Sequence, residues 1–282
     1  MGAKRNGASI RRRILARRLR ELREQAGFTL EAAAPLLDTS MSRLSRIENG
    51  QQKADVHLVK SMLDLFDVGG VQWTELLELA REAAKPAWYR AYGLGDNSYV
   101  GFETEATQVQ EYASGFVPGL LQVAEYSRVL YEASPLPRSA EDRERDLAVR
   151  MIRQERLQSD DDPLQLVAII DAAVLRNPVG GRAVHRAQLA HLKTASEWPL
   201  VSLQVLPSGQ GVHPALASGF LVLSFSHLGE PDMAYVEHAL GATNLWKEPD
   251  VTLARLKFDR LRTLALAPGE SRDMICRLAG EL

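Results

Sequence analysis

Apolar side chains recur every three to four residues through the first eighty positions and gather in short continuous runs farther on, predicting helices first and mixed structure later. Ile14, Leu15, Leu19 and Leu22 keep one face of a first helix apolar, while Arg12, Arg13, Arg17, Arg20 and Arg23 take much of the remainder. Gly27 is placed to end it. Thr29 can cap a second helix with Glu31 in its first turn, and Thr39 or Ser40 a third. In that third helix Leu44 and Ile47 point inward, leaving Ser42, Arg43 and Arg46 outward, and Gly50 stops it. Val56, Val59, Met62, Leu63 and Phe66 mark a fourth helix; Trp73, Leu76, Leu77 and Leu79 mark a fifth. Pro35 lies inside the second helix, where it removes an amide donor at about 3 kcal/mol for an interior position, so that helix is expected to be short or kinked. Asp38, in the turn, belongs to the few residue types that tolerate a left-handed backbone.

Residues 81–98, REAAKPAWYRAYGLGDNS, turn rich in Gly, Pro and small polar residues and read as a linker. Beyond them, Leu164–Asp171, Val201–Pro207, Gly219–Phe225 and Met233–His238 predict strands. Glu103–Ala106, Leu120–Glu132, Ala140–Leu157, Arg182–Ala195, Val251–Ala265 and Gly269–Ala279 predict helices. The expected fold is mainly α: an N-terminal five-helix bundle over residues 9–80, a linker over 81–98, and a larger α+β domain over 99–282.

Charge sharpens this division. The whole chain sums to −2, yet residues 1–50 carry eleven Lys/Arg against five Asp/Glu, so +6 at the head leaves −8 for residues 51–282. A basic head on an acidic body suits a polyanion-binding module joined to a body that binds none. A single cysteine, Cys276, excludes an internal disulfide and a Cys-based zinc cluster, and its apolar neighbours suggest a core position. The start MGAKRNGAS leads into no apolar signal core, and no run approaches the roughly 18 apolar residues of a membrane span, so a cytoplasmic protein without membrane contact is expected.

The segment GFTLEAAAPLLDTSMSRLSRIENG, with its core Ser40–Gly50, resembles the Xre/Cro/phage-repressor class of helix-turn-helix domains. The resemblance implies a phage-repressor-like bundle whose third helix enters the major groove of double-stranded operator DNA. By matching position, Met41, Ser42 and Arg46 would reach bases, Arg43 a base or a phosphate, and Thr29 and Asn49 phosphates at helix ends. Arg23 and Glu48 match a pair bridging the first and third helices, with Arg23 also near a phosphate; Ser40, Lys53 and Arg13 complete the implied DNA-binding set. Farther on, VPGLLQ (Val117–Gln122), with Tyr112 before it and Glu125 and Tyr126 after it, is followed by VRMIRQERL, DAAVLRNPVGG and SRDMI. These blocks resemble the antitoxin-like domain of actinobacterial Xre-type regulators. That likeness implies control by a small partner protein encoded by an adjacent gene; a single helix-turn-helix covers too few bases for an operator, so a homodimer is expected, and no cofactor is. By its residues alone, VPGLLQ reads as a turn at Pro118 and Gly119 opening a helix that carries Leu120, Leu121 and Tyr126.

Signs of catalysis are thin. H-E-x-x-H, G-x-S-x-G and P-loop motifs are all missing, and His185 and His191 stand six apart, off metal-ligand spacing. Asp171, His213 and Glu237 are the residues with any prospect of converging, and Gly180 and Gly181 read as a turn. The arginines from Arg143 to Arg156, interleaved with acids, read as a solvated helix with local ion pairs. Two other readings stand beside the partner-controlled regulator: a metabolite-responsive repressor with a C-terminal pocket, and an enzyme tethered to a DNA-binding module.

Overall fold

The computed structural model describes residues 8–95, 98–135 and 138–281; the basic start and Asp96–Asn97 of the expected linker lie outside the described residues. The described residues divide into two compact units, 8–105 and 106–281. Tyr99–Glu105, expected at the head of the second domain, therefore belongs to the first unit.

The first unit begins with the expected five helices: α1 (Ala8–Gln25), α2 (Leu30–Leu36), α3 (Met41–Glu48), α4 (Val56–Leu65) and α5 (Gly70–Ala84). Leu15, Leu19 and Leu22 of α1 meet Ala33, Leu44, Ile47, Val59, Met62, Leu63 and Leu76 in one core. Turn chemistry separates the short helices. After α2, Thr39 N–H donates to Ala34 O (3.0 Å) and Asp38 N–H to Pro35 O (3.2 Å), with Asp38 in the left-handed region at φ 48°. This closing motif normally takes glycine; Gly27 after α1 and Gly50 after α3 fill the same place at φ 77° and 69°. Pro35 sits in the last turn of a helix of 7 residues, so α2 is short, as a proline there requires.

The stretch expected as a linker holds the end of α5 and a 3-10 turn, Trp88–Tyr92, in which Tyr89 is fully buried. Helix α6 (Tyr99–Glu105) follows, with Trp88 Nε1 donating to Thr104 Oγ1 at 3.1 Å. Arg11 of α1 bonds both Glu82 of α5 (2.9 Å) and Glu105 of α6 (3.1 Å).

The second unit is α+β. Its elements run β1 (Gln108–Ala113), α7 (Ala124–Glu132), α8 (Ala140–Gln154), β2 (Gln165–Asp171), α9 (Ala172–Arg176), α10 (Gly181–Ala195), β3 (Val201–Leu206), β4 (Phe220–Phe225), β5 (Glu230–His238), β6 (Gly241–Leu245), α11 (Glu248–Leu264) and α12 (Pro268–Gly280). One six-stranded sheet has the order β3-β2-β1-β4-β5-β6. The first three strands are parallel, joined by helical crossovers; β4, β5 and β6 add antiparallel. Strand β2 reads LVAII because both of its faces are covered, as in parallel sheets generally. Tyr112, Ile169, Phe220 and Val222 form a core with Phe258 and Leu261 of α11.

Four expectations need correction. Leu120–Glu132 is not one helix: a 3-10 turn over Gly119–Leu121 ends in extended Gln122 and Val123, and α7 starts at Ala124. The break is held from outside, because Gln188 of α10 donates to Leu121 O (2.7 Å) and accepts from Val123 N–H (2.9 Å). Strands β1 and β6 lie where no strand was expected. The arginines around α8 are not uniformly solvated: Arg156 is 4% exposed, paired with Asp162 (3.2 Å) and donating to Ala106 O (2.9 Å). Arg150 packs over the Tyr131 ring at 4.9 Å, and burial pushes its guanidinium pKa down. Cys276 is half-buried and free rather than a full core residue.

Candidate nucleic-acid interface

Helix α3 is built to face two ways. Ser40 caps it, its Oγ accepting from Arg43 N–H at 3.2 Å. Leu44 and Ile47, three residues apart, enter the core, and Glu48 follows them inward. There Glu48 meets Arg23 of α1 through two parallel bonds, Nε to Oε1 at 2.8 Å and Nη2 to Oε2 at 2.9 Å. Both residues are buried, at 6% exposure each. The hydrogen bonds that Arg23 donates to Glu48 hold its guanidinium above its already high pKa. Arg23 Nη1 also donates to Phe28 O at 2.6 Å, tying the turn before α2 to the same clamp. Arg23 thus serves the bundle's interior; its guanidinium is committed there.

The opposite face of α3 is open. Met41, Ser42 and Arg46 are exposed and Arg43 is half-buried. On α1, by contrast, arginines are matched by acids: Arg17 and Arg18 with Glu21, Arg20 with Glu24, and Arg11 with Glu82 and Glu105. Among the described residues neither Arg43 nor Arg46 has a carboxylate partner. Arg46 Nε donates to Gln52 Oε1 at 3.1 Å, and Arg43 Nε is shielded from water without a partner among the described residues. The positive field therefore persists on α3 and is locally neutralised on α1.

The remaining expected contact residues frame this face. Thr29 caps α2, its Oγ1 accepting from Ala32 N–H at 3.2 Å, and is exposed. Asn49 caps the C-terminal end of α3, Nδ2 donating to Ser45 O at 2.9 Å. Lys53 Nζ is held by Ala84 O at 2.6 Å, at the end of α5, and Arg13 is exposed on α1. Gln52 went unforeseen. Its place in the GQQK run straight after α3 is the one sequence sign of it, since both Gln51 and Gln52 N–H donate back to Arg46 O.

In the second unit, VPGLLQ is held by its own neighbours. Gln122 Nε2 donates to Val117 O (2.6 Å), Gln122 Oε1 accepts from Ser127 Oγ (2.9 Å) and from Arg150, and Gln154 Nε2 donates to Gly119 O (3.0 Å) and Gln122 O (2.8 Å). Asp171 caps α9 through Ala173 N–H (2.8 Å) and accepts from Tyr112 OH (3.3 Å), while the His213 ring meets Tyr112 edge-on at 5.8 Å. Burial, and then Asp171, pushes the Tyr112 hydroxyl pKa up. Glu237 lies on the wall of a cavity of about 430 Å³ with Glu111, Ser114, Phe116 and His238. His185 Nε2 pairs with Leu175 O (2.9 Å) and His191 packs edge-on to Trp198 (5.5 Å). Gly180 and Gly181, both in the left-handed region, make a turn into α10.

A short helix locked to its bundle by a buried ion pair, with arginines that have no carboxylate partner among the described residues on its outer face, fits a helix-turn-helix DNA-binding module. The helix-turn-helix domain family matches residues 14–76, and the protein is a DNA-binding regulator of that general type. A family described as a domain of unknown function, DUF5753, matches residues 97–277. That match takes in more than half of the chain, and the chain belongs to this family. No curated protein and no solved structure is significantly similar to it. No helix among the described residues is long and apolar enough to cross a membrane.

Proposed function

We propose that the protein is a sequence-specific, cytoplasmic transcriptional regulator of the Xre/Cro class, acting as a homodimer on operator DNA. The observation that carries this reading is the outer face of α3, where Met41 and Ser42 are exposed and Arg43 and Arg46 have no carboxylate partner among the described residues, while Glu48 and Arg23 fix the helix from behind. Dimerisation supplies what one bundle lacks: two half-sites about 10 bp apart raise both affinity and selectivity. The second unit acts as a non-catalytic receiver, antitoxin-like, on which a small partner protein encoded nearby docks and alters DNA affinity. The acidic residues 51–282, at −8, favour a basic partner. The deciding experiment is footprinting on the gene's own promoter, repeated with the co-purified product of any small adjacent gene. A symmetric footprint that the partner strengthens or erases supports the reading. A footprint unchanged by a bound partner removes the partner-control element.

The cavity of about 430 Å³ beside Glu111 and Glu237 favours one second reading, a small-molecule effector bound in the C-terminal unit. Thermal shift of the full chain against metabolite fractions, followed by footprinting with any hit, separates the two.

A further inference from the structure

Of the two arginines on the outer face of α3, Arg46 alone is held by a side chain among the described residues. Its Nε donates to Gln52 Oε1 at 3.1 Å, whereas Arg43 Nε has no partner there. The contact is built on backbone. Gly50, in the left-handed region at φ 69°, turns the chain back, and Gln51 and Gln52 N–H then both donate to Arg46 O, at 2.8 and 3.1 Å. Gln52 is thereby pinned by its own amide to the residue whose side chain it holds, and it is half-buried while Arg46 is exposed.

The choice of an amide matters. On α1, Glu21 and Glu24 hold Arg17, Arg18 and Arg20 and cancel their charge at the same time. An amide oxygen orients a guanidinium and leaves its full positive charge for a polyanion. With Nε taken up, the edge that Nε shares with one Nη is occupied. The edge formed by the two Nη groups has no partner among the described residues. Those two parallel donors fit two acceptors lying side by side. In the major groove guanine offers that pair, O6 and N7, while adenine sets a donor beside its N7.

We propose that Gln52 is a positioning residue for base recognition, holding Arg46 so that its two-Nη edge reads a guanine. This rests on the sequence-specific reading of α3 above, and it names the base and the residue behind the contact. Ordering a long side chain before DNA arrives also spares part of the entropy lost on binding.

The test takes the full-length protein, selects its sites from a randomised duplex pool, and compares variants by gel shift with each of the four bases at the position that depends on Arg46. Thermal unfolding confirms that each variant is folded. The parent should prefer guanine at one position, and Arg46→Ala should erase that preference. Gln52→Leu keeps bulk but loses the acceptor; it should reduce the preference about three- to tenfold and keep the parent's salt dependence, since no charge changes. Gln52→Ala repeats the deletion if leucine disturbs the turn. Gln52→Glu keeps an acceptor but neutralises Arg46, so it should retain the guanine preference, weaken every sequence and reduce the salt slope by about one. In the Arg46→Ala background, Gln52→Leu should shift affinity by less than about twofold, because the two side chains act as a unit.

A pool that yields no preferred sequence overturns the sequence-specific reading, and this proposal with it. A preferred sequence that Arg46→Ala leaves untouched, or an Arg46-dependent base other than guanine, overturns the contact proposed for Arg46. A guanine preference that survives both Gln52→Leu and Gln52→Ala, or an equal loss in the Arg46→Ala background, overturns the role of Gln52 alone.

Discussion

Helix α3 and the VPGLLQ segment are both short motifs secured by an arginine, buried Arg23 and half-buried Arg150, yet they use their polar atoms in opposite directions. In α3 one carboxylate, Glu48, turns in to Arg23, and Met41, Ser42 and Arg46 stay in solvent. In VPGLLQ, Gln122 spends its side-chain amide on Val117, Ser127 and Arg150, and Gln154 and Gln188 take up carbonyls of Gly119, Leu121 and Gln122. A recognisable motif therefore does not reveal its use. What separates a binding face from a structural key is whether its donors and acceptors are already satisfied.

The comparison breaks most visibly at Glu48. Glu48→Ala leaves Arg23 charged and buried without its partner, which should cost about 3–5 kcal/mol. Chemical denaturation should show that loss in the N-terminal transition, with DNA binding failing as the bundle unfolds. Replacing both residues by apolar ones of similar size should recover most of the stability, because the desolvation cost of the pair disappears with its charges. A Glu48→Ala loss under about 1 kcal/mol would class the pair with exposed ion pairs.

Next in size is Gln188. Gln188→Ala strands Leu121 O and Val123 N–H, each at about 1–3 kcal/mol if left unpaired. The expected result is a destabilised C-terminal transition with unchanged operator affinity for the folded protein. Arg46→Ala should do the reverse, costing about 1–3 kcal/mol of operator affinity and relaxing one base position. Its stability should match the parent, since Arg46 is exposed and bonded to Gln52 alone among the described residues. Arg13→Ala, on the exposed side of α1, should weaken all sequences alike by a smaller amount and flatten the salt dependence. Gel shifts across a salt series measure both.

The same contrast explains what could be read from the chain before its structure. The bundle was legible because its determinants are local: caps at Thr29 and Ser40, closing residues at Gly27, Asp38 and Gly50, and an apolar stripe of period 3.6. The apolar runs of β2, β3 and β4 were legible for the same reason. Strand β1 was not, because Gln108, Gln110 and Glu111 make a central strand look polar, and Gln108 donates across the sheet to Gln165 (2.7 Å), a partner far along the chain. The break after Leu121 is imposed by Gln188, far along the chain, and no local pattern announces it. The outward face of α3 followed from periodicity. The neutralisation of α1 by Glu82 and Glu105 did not, since those glutamates come from other helices.

The smallest expected effect is a pH dependence confined to the C-terminal unit. His191 lies three residues beyond Gln188 on α10, with its Nε2 buried and without a partner among the described residues, and its ring packed on Trp198. Burial lowers its pKa below the usual histidine value. The folded state then holds the imidazole neutral where the unfolded chain would already take up a proton. Stability from this source is complete above the unfolded pKa, near 6.5, and declines as pH falls toward the depressed folded value, because the unfolded state binds more protons there. Denaturation at pH 7.5 and 5.5 should show the C-terminal transition weakening at the lower pH, and His191→Asn should remove part of that difference. The N-terminal transition should keep its own pH response in both proteins. An equal loss at acid pH in the parent and in His191→Asn would mean that the imidazole reaches water in the folded state, and that α10 is packed less tightly there than at Gln188.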